Sequence, residues 1–244
     1  MVSQDSVLSP TPFIQSTHNT IGGQISLLLQ SHAYNFTYAQ RAHSFENALQ
    51  DALMMIGEGT ENILVGGIDE VTNTSVDVIS KLPCGHESPT STSQIGEGSA
   101  FFVLSANKQP HTYAQIVAFE TKYGSAETEA LADWIRNCLI QANLKIADVD
   151  GLLLGESGDV QDDQLYGQIK HRLFPHTPSF AFKSLSGEYF TAVSFGLNLA
   201  ANMIKHQQFY SLGSMPSGSQ GINSLLIYNH YKNKYHSLIL LQKC

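Results

Sequence analysis

Three cysteines, Cys84, Cys138 and Cys244, carry the side chain best suited to covalent catalysis. Cys138 falls on the apolar face of a predicted helix, which makes it a buried, inert thiol. Cys244 is the last residue and is expected to fray. Cys84 follows Pro83 in a loop and is the best placed of the three, although a structural role fits it better. Gly155-Glu156-Ser157-Gly158 stops one residue short of the G-x-S-x-G turn of serine hydrolases. Cys84 and His86 form the one close Cys/His pair, and no second pair answers it to complete a zinc site. Gly96-Glu97-Gly98 lacks the third glycine of the dinucleotide fingerprint, and no G-x-x-x-x-G-K-[ST] is present. Asp159, Asp162 and Asp163 read as a solvated acidic loop, and the ten histidines are scattered over surface and loop positions. No metal and no cofactor are expected.

The chain around these residues has 244 positions, one large domain or two small ones. Hydrophobic residues make up 42% and charged residues 14%, enough for a sizeable core and too few to clothe the whole surface, so a partner is expected to cover part of it. The net charge of −8, with no Lys/Arg run, argues against nucleic acid and anionic membranes as partners. The start is polar, without a signal-peptide pattern, and no apolar stretch approaches membrane-spanning length. An odd, sparse cysteine set fits a reducing compartment, the cytoplasm.

Periodicity places the elements. Helices are predicted at residues 21–30, 44–58, 128–141, 162–173 and 190–205. Strands are predicted at 34–39, 63–65, 99–104, 113–119, 149–154, 179–182, 224–228 and 237–241, the last two as a hairpin. Pro10 and Pro12 are expected to exclude regular structure. Residues 82–98 read as a long loop, and 183–188 as a turn. Alternating strands and helices define an α/β class. The two long helices, 44–58 and 190–205, each lead through Gly-rich turns into an apolar strand, an echo of two related halves at about 9–110 and 111–244.

Five stretches, in order, resemble the β-ketoacyl synthase family of the thiolase fold. Phe13-Ile14-Gln15-Ser16-Thr17-His18-Asn19 with Gly22-Gly23 is similar to the segment upstream of the nucleophile. Ile63-Leu64-Val65-Gly66-Gly67 is similar to the strand after the nucleophile helix. Gly96-Glu97-Gly98, entering 99–104, is the sharpest match. Lys183-Ser184 with Gly187 looks like the Lys-Ser-Asn-Ile-Gly-His turn, and residues 218–224 like the Gly-rich loop near the C-terminus. The resemblance implies a layered α/β/α/β/α fold in a single domain over 1–244, here lacking the family's first elements.

The family acylates a cysteine at a helix N-terminus and stabilises an enolate with two histidines. Carried over, the cysteine position falls within Ala39-Gln40-Arg41-Ala42, best at Gln40, and the histidine positions fall at Gly155 and Glu188. Of the set, Lys183 is kept. Gln40 cannot form a thioester, and Glu188 would place negative charge where an oxyanion develops. Glu188 and Lys183 are instead expected to form an ion pair.

These losses resemble chain-length factors, inactive homologues that pair with an active synthase, and most of all those of aryl polyene and flexirubin pigment pathways. That implies a heterodimer with a 3-oxoacyl-carrier-protein synthase, or a homodimer, served by acyl carrier protein. The predicted strand 34–39, with Tyr34, Phe36 and Tyr38 on one face, would lie at the dimer axis, and His18, Asn19 and Thr20 beside the acyl tunnel. Two alternatives stay open: an acyl hydrolase or acyltransferase built on Lys183 and Glu188, and an acyl-chain or acyl-carrier binding module.

Overall fold

The computed structural model describes residues 10–72, 94–210 and 221–244. Cys84, His86, most of the expected loop at 82–98 and residues 218–220 of the Gly-rich loop lie outside the described residues. The chain divides into two compact units, Met1–Gln40 and Arg41–Cys244.

In the first unit, helix α1 spans Pro10–Gln15, contrary to the reading of Pro10 and Pro12 as breakers. Both prolines sit in its first turn, where the N–H groups have no intrahelical acceptor, so a missing N–H costs nothing. The Thr17 and Thr20 hydroxyls donate to the Ile14 carbonyl at 2.9 and 2.7 Å and turn the chain into helix α2, Thr20–Leu28. Residues 34–39 form no strand, contrary to the expectation. Alternating aromatics favour an extended chain, but a strand also needs a neighbouring backbone to pair with. This segment is held by a side chain instead: Asn35 Nδ2 donates to the Gly22 carbonyl at 2.9 Å and to Ser26 Oγ at 2.7 Å.

The second unit opens with a 3-10 turn, Arg41–His43, leading into helix α3, Ser44–Gly57. Phe45, Leu49 and Ala52 recur at four- and three-residue spacing and are buried. Gly59, at φ 105, follows the helix end in a left-handed conformation that glycine adopts freely. Strands β1 (Asn62–Asp69) and β2 (Gly98–Ser105) pair antiparallel. The remaining strands are β3 (Gln115–Tyr123), β4 (Gly151–Leu154), β5 (Ser179–Ala181), β6 (Ser224–Tyr231) and β7 (Tyr235–Gln242). They form one five-stranded sheet in the order β3-β7-β6-β4-β5. Its β4–β6 and β4–β5 pairs are parallel, and β6–β7 is the expected hairpin. Helices α4 (Thr128–Gln141), α5 (Val160–Leu173), the short α6 (Lys183–Ser186) and α7 (Ala192–His206) complete the unit.

Alternation along the strands builds two cores. Leu152, Leu154, Leu226, Leu238 and Leu240 face α4 and α5. Leu153, Leu225, Ile227, Ile239 and Leu241 face α3 and α7. Val65 of β1 and Phe102 and Leu104 of β2 close on the other side of α3 and α7. The layers therefore run α4/α5, five-stranded sheet, α3/α7, β1–β2, four of the five expected layers within one unit. In sequence, α3 leads into the antiparallel pair β1–β2, and α7 into the antiparallel pair β6–β7. Small residues let α7 pack tightly, with Gly196 against the Phe182 ring. Asp69, at the end of β1, caps α7 by accepting the Thr191 N–H at 2.8 Å and its hydroxyl at 2.7 Å.

Candidate functional site

The site positions that lie in the second unit gather where α3, α6 and α7 begin, at one end of the five-stranded sheet. Arg41 is exposed at the head of α3 and stands at φ 54, a left-handed conformation that a non-glycine residue adopts under constraint. Ser44 Oγ donates to its carbonyl at 2.6 Å. Arg41, one of the four positions within which the resemblance places the nucleophile, thus holds this corner, one residue beyond Gln40. Gln40 itself is the exposed last residue of the first unit. Ala42 is buried behind the corner.

Lys183 opens α6 with its side chain 1% exposed and donates to Glu188 Oε2 at 2.7 Å. The expected ion pair is formed. The Glu188 backbone also joins the 94–98 segment: the Gly96 N–H donates to its carbonyl at 3.0 Å, and its own N–H donates to the Gln94 carbonyl at 2.7 Å. Two motifs separated by some ninety positions in sequence are therefore one structure. Gly187 stands at φ 75, whereas Gly96 and Gly98 have no positive φ. Gly96 is needed for close approach, because a Cβ there would run into the Ser186 carbonyl. Glu97 accepts the Val71 N–H at 2.9 Å.

Gly155 directly follows β4, and the space beside it is filled. A Cβ there would collide with Asn229 Oδ1 and come within 2.7 Å of the Tyr166 hydroxyl. That hydroxyl accepts the His230 N–H at 2.8 Å and donates to the His230 carbonyl at 3.1 Å. The Tyr166 ring stacks on the His230 imidazole with centroids 4.3 Å apart. Contrary to the surface reading of the histidines, His230 and His236 are buried in β6 and β7. Burial pushes their pKa values down to about 3 and about 4. Both ring nitrogens of His230 are engaged: Nε2–H donates to the Asp162 carbonyl at 3.1 Å, and Nδ1 accepts the Asn233 N–H at 3.2 Å. Such a ring is a neutral structural member, with neither nitrogen left for substrate.

The sequence reading missed Glu46. It lies in the first turn of α3, fully buried. Burial raises its pKa to about 7, while its own N–H, the Ser237 hydroxyl and the Lys183 charge pull it down. Its spacing gives it away: Glu46 stands three residues before Leu49 and seven before Leu53, on the buried stripe. Tyr166 shows the same signal, three before Ile169 and seven before Leu173.

Other candidates come apart. Cys138 is buried, and burial, with Glu120 beside it, pushes its thiol up to about 12. Ser157 accepts the Asp159 N–H, and Asp163 accepts the Ser157 and Gly158 N–H groups, so the acidic loop stitches its own backbone. Among the described residues no group of three His, Cys, Asp or Glu could hold a metal ion, and no helix is long and apolar enough to cross a membrane. In the first unit, His18 and Asn19 are exposed, while Thr20 is half-buried with its hydroxyl on Ile14. Tyr34 and Phe36 are exposed, with ring centroids 6.1 Å apart, and Tyr38 follows at 5.0 Å.

The family profile described as β-ketoacyl synthase, N-terminal domain, matches residues 1–147. The chain belongs to the β-ketoacyl synthase family. No curated protein sequence matches it. Among solved structures it is similar to the ketosynthase ApeO in complex with its chain length factor ApeC from Xenorhabdus doucetiae, at TM-score 0.75 and 15% identity. That match covers 95% of this chain and 66% of the other. The ishigamide ketosynthase/chain length factor matches at TM-score 0.75 and 14% identity, covering 97% and 68%. AntDE:AntF, a type II acyl-carrier protein in complex with its ketosynthase, matches at TM-score 0.78 and 14% identity, covering 97% and 69%. The chain thus has the thiolase-like ketosynthase fold and spans about two thirds of the length of these relatives.

Proposed function

We propose that this chain is a non-catalytic, chain-length-factor-type subunit that pairs with an active β-ketoacyl synthase in fatty-acid- or polyketide-type chain elongation. One observation carries the reading. At the positions where the family places a cysteine and two histidines stand Gln40 or Arg41, Gly155 and Glu188. Of the last two, one is walled in by Asn229 and Tyr166 and the other is tied to Lys183. No thiolate is available there to accept an acyl group, and no imidazole to stabilise an enolate. The first unit supplies the surface for the partner through Tyr34, Phe36 and Tyr38, with His18, Asn19 and Thr20 near the partner's acyl tunnel. Acyl carrier protein delivers substrate to the pair in the cytoplasm, in an aryl polyene-like pathway.

Co-expression with a Cys-His-His synthase, followed by purification through a single tag, tests the pairing. A stoichiometric complex that elongates an acyl carrier thioester, while the isolated chain does not, is the expected result. Acylation of the isolated chain at residues 40–42, seen by mass spectrometry, overturns it.

A cleft of about 410 Å³ beside β5, lined by Phe180, Leu199, Phe209 and Tyr210, favours the acyl-binding module as second reading. A stable monomer that binds a fluorescent fatty acid, and loses it in Leu199→Trp, would favour that module over the subunit.

A further inference from the structure

Strand β3 forms one edge of the five-stranded sheet and, among the described residues, pairs with β7 alone. Its outer side therefore presents backbone N–H and C=O groups with no strand to meet them. None of its nine residues is buried, whereas β7 beside it is buried over most of its length. The opposite edge, β5, has three residues. Past the irregularity between Ile116 and Ala118 the side chains of β3 alternate regularly. Phe119 packs toward α3 and α7, with Thr121 and Tyr123 following on that face. Ala118 packs toward α4 and α5, with Glu120 and Lys122 following on the other. Between β3 and α3 lies a groove of about 540 Å³, lined by Phe119 and Thr121 on one side and Leu53 and Met54 on the other. Met54 is exposed, and Tyr123, at the end of the strand, is 70% exposed.

We propose that the free edge of β3 is occupied by β3 of a second copy of this chain, joining two five-stranded sheets into one. Charge complementarity selects both the occupant and the register. Antiparallel strands related by a two-fold axis at Thr121 set Glu120 opposite Lys122 of the second copy, and Lys122 opposite its Glu120. The same register sets Phe119 opposite Tyr123 of the second copy, on the α3 face. A centre at Glu120 or at Lys122 would bring like charges face to face, and a centre at Phe119 would match neither. Glu120 and Lys122 take part in no ion pair among the described residues. A lysine on an edge strand ordinarily guards against strand addition. Here a glutamate two residues away answers it in one register of self-pairing. Tyr123 of the second copy then enters the groove beside Leu53 and Met54, an aromatic anchor in an apolar recess. This edge shares no residue with the aromatic row proposed to meet a synthase, so the inference stands or falls separately from the proposed function.

Sedimentation equilibrium on the full chain, purified alone, tests it. The wild-type chain should dimerise reversibly. Glu120→Lys and Lys122→Glu each place like charges opposite one another at both crossings, and each should weaken the dimer by about tenfold or more. Mixed together, the two variants should regain the wild-type affinity, because each then meets its opposite. A wild-type monomer, a dimer that Lys122→Glu leaves unchanged, or two variants that stay apart when mixed overturns the proposal. Should Glu120→Lys fail to fold, Thr121→Cys decides in a chain that also carries Cys84→Ser and Cys244→Ser. A short bis-maleimide should then link two copies at the axis, and adding Lys122→Glu should abolish the link. No link, or one that survives Lys122→Glu, overturns the proposal.

Discussion

Gly187 and Gly96 meet backbone to backbone: a Cβ on Gly187 would lie 2.5 Å from the Gly96 Cα. Gly187 also stands at φ 75, where a side chain is strained whatever the space. Gly187→Ala should therefore lower stability by about 2 kcal/mol or more, combining backbone strain with forced separation of the junction. Gly167, exposed in α5 with nothing within 4 Å of its would-be Cβ, is the control. Gly167→Ala should raise stability by up to about 1 kcal/mol through helix propensity. Urea unfolding of the two variants checks both signs.

The Lys183–Glu188 pair is buried on the lysine side, so breaking it leaves an ammonium without its counter-charge. Glu188→Gln and Lys183→Met should each destabilise by about 3 kcal/mol, as for a buried pair deprived of one partner. The double variant should cost less than the sum, with a coupling of about 1 kcal/mol or more. A double-mutant cycle in urea reads this directly, and simple additivity would reject the pair as an energetic unit.

Putting the family's catalytic residues back should fail, for different reasons at each position. Arg41→Cys changes an exposed corner residue and should fold, yet show no condensation with acyl carrier thioesters. Gly155→His drives a side chain into Asn229 and Tyr166 and should unfold the chain or cut its stability by several kcal/mol. Circular dichroism separates the two outcomes before any assay is run.

The elements with strong periodicity were legible: α3, α7 and the β6–β7 hairpin lie within a few residues of their predicted bounds. Residues 183 and 188 could be paired because a five-residue turn brings their side chains together. Residues 34–39 could not be read correctly, since Tyr34, Phe36 and Tyr38 alternate equally well in a lone extended chain and in a paired strand. Glu46, His230 and His236 escaped because a polar type was taken as a mark of exposure. Their positions on buried stripes of α3, β6 and β7 carried the opposite message. The contact of Gly96 with Gly187 joins segments far apart in sequence, and no local pattern could give it.

Acid sensitivity follows from the buried groups. His230 and His236 titrate near 6.5 when unfolded and at about 3 and about 4 when folded. Between those limits the unfolded chain binds more protons, so stability falls as pH drops below about 6.5. Glu46 works the other way. Its folded pKa of about 7 lies above the unfolded 4.5, so its contribution is lost as pH rises through that window. The two effects partly cancel between pH 4.5 and 6.5. Glu46→Gln should steepen the fall of the urea midpoint on acidification by about one proton's worth, about 1.4 kcal/mol per pH unit. A slope unchanged from wild type would show that Glu46 is already ionised in the folded protein.

The aromatic row of the first unit bears on assembly. Phe36 is 62% exposed, stacks on Tyr34 and meets Tyr38 at a tilt, on a segment whose backbone enters no sheet. Extended backbone with apolar side chains on one side is a template for a partner strand. Under the proposed pairing with a synthase, Phe36→Asp places a charge in the middle of that surface and should abolish co-purification, a loss of at least about 2 kcal/mol at an interface anchor. Phe36 is exposed, so the variant should keep the wild-type unfolding midpoint. Thr20, tied to Ile14 by its hydroxyl, should act differently. Thr20→Val removes that bond and should leave the complex intact, whereas Thr20→Trp should shift the product lengths made by the complex rather than its rate alone. Single-tag purification with mass spectrometry of the released acyl chains measures both. Co-purification of Phe36→Asp at the wild-type ratio would move the interface elsewhere on the chain.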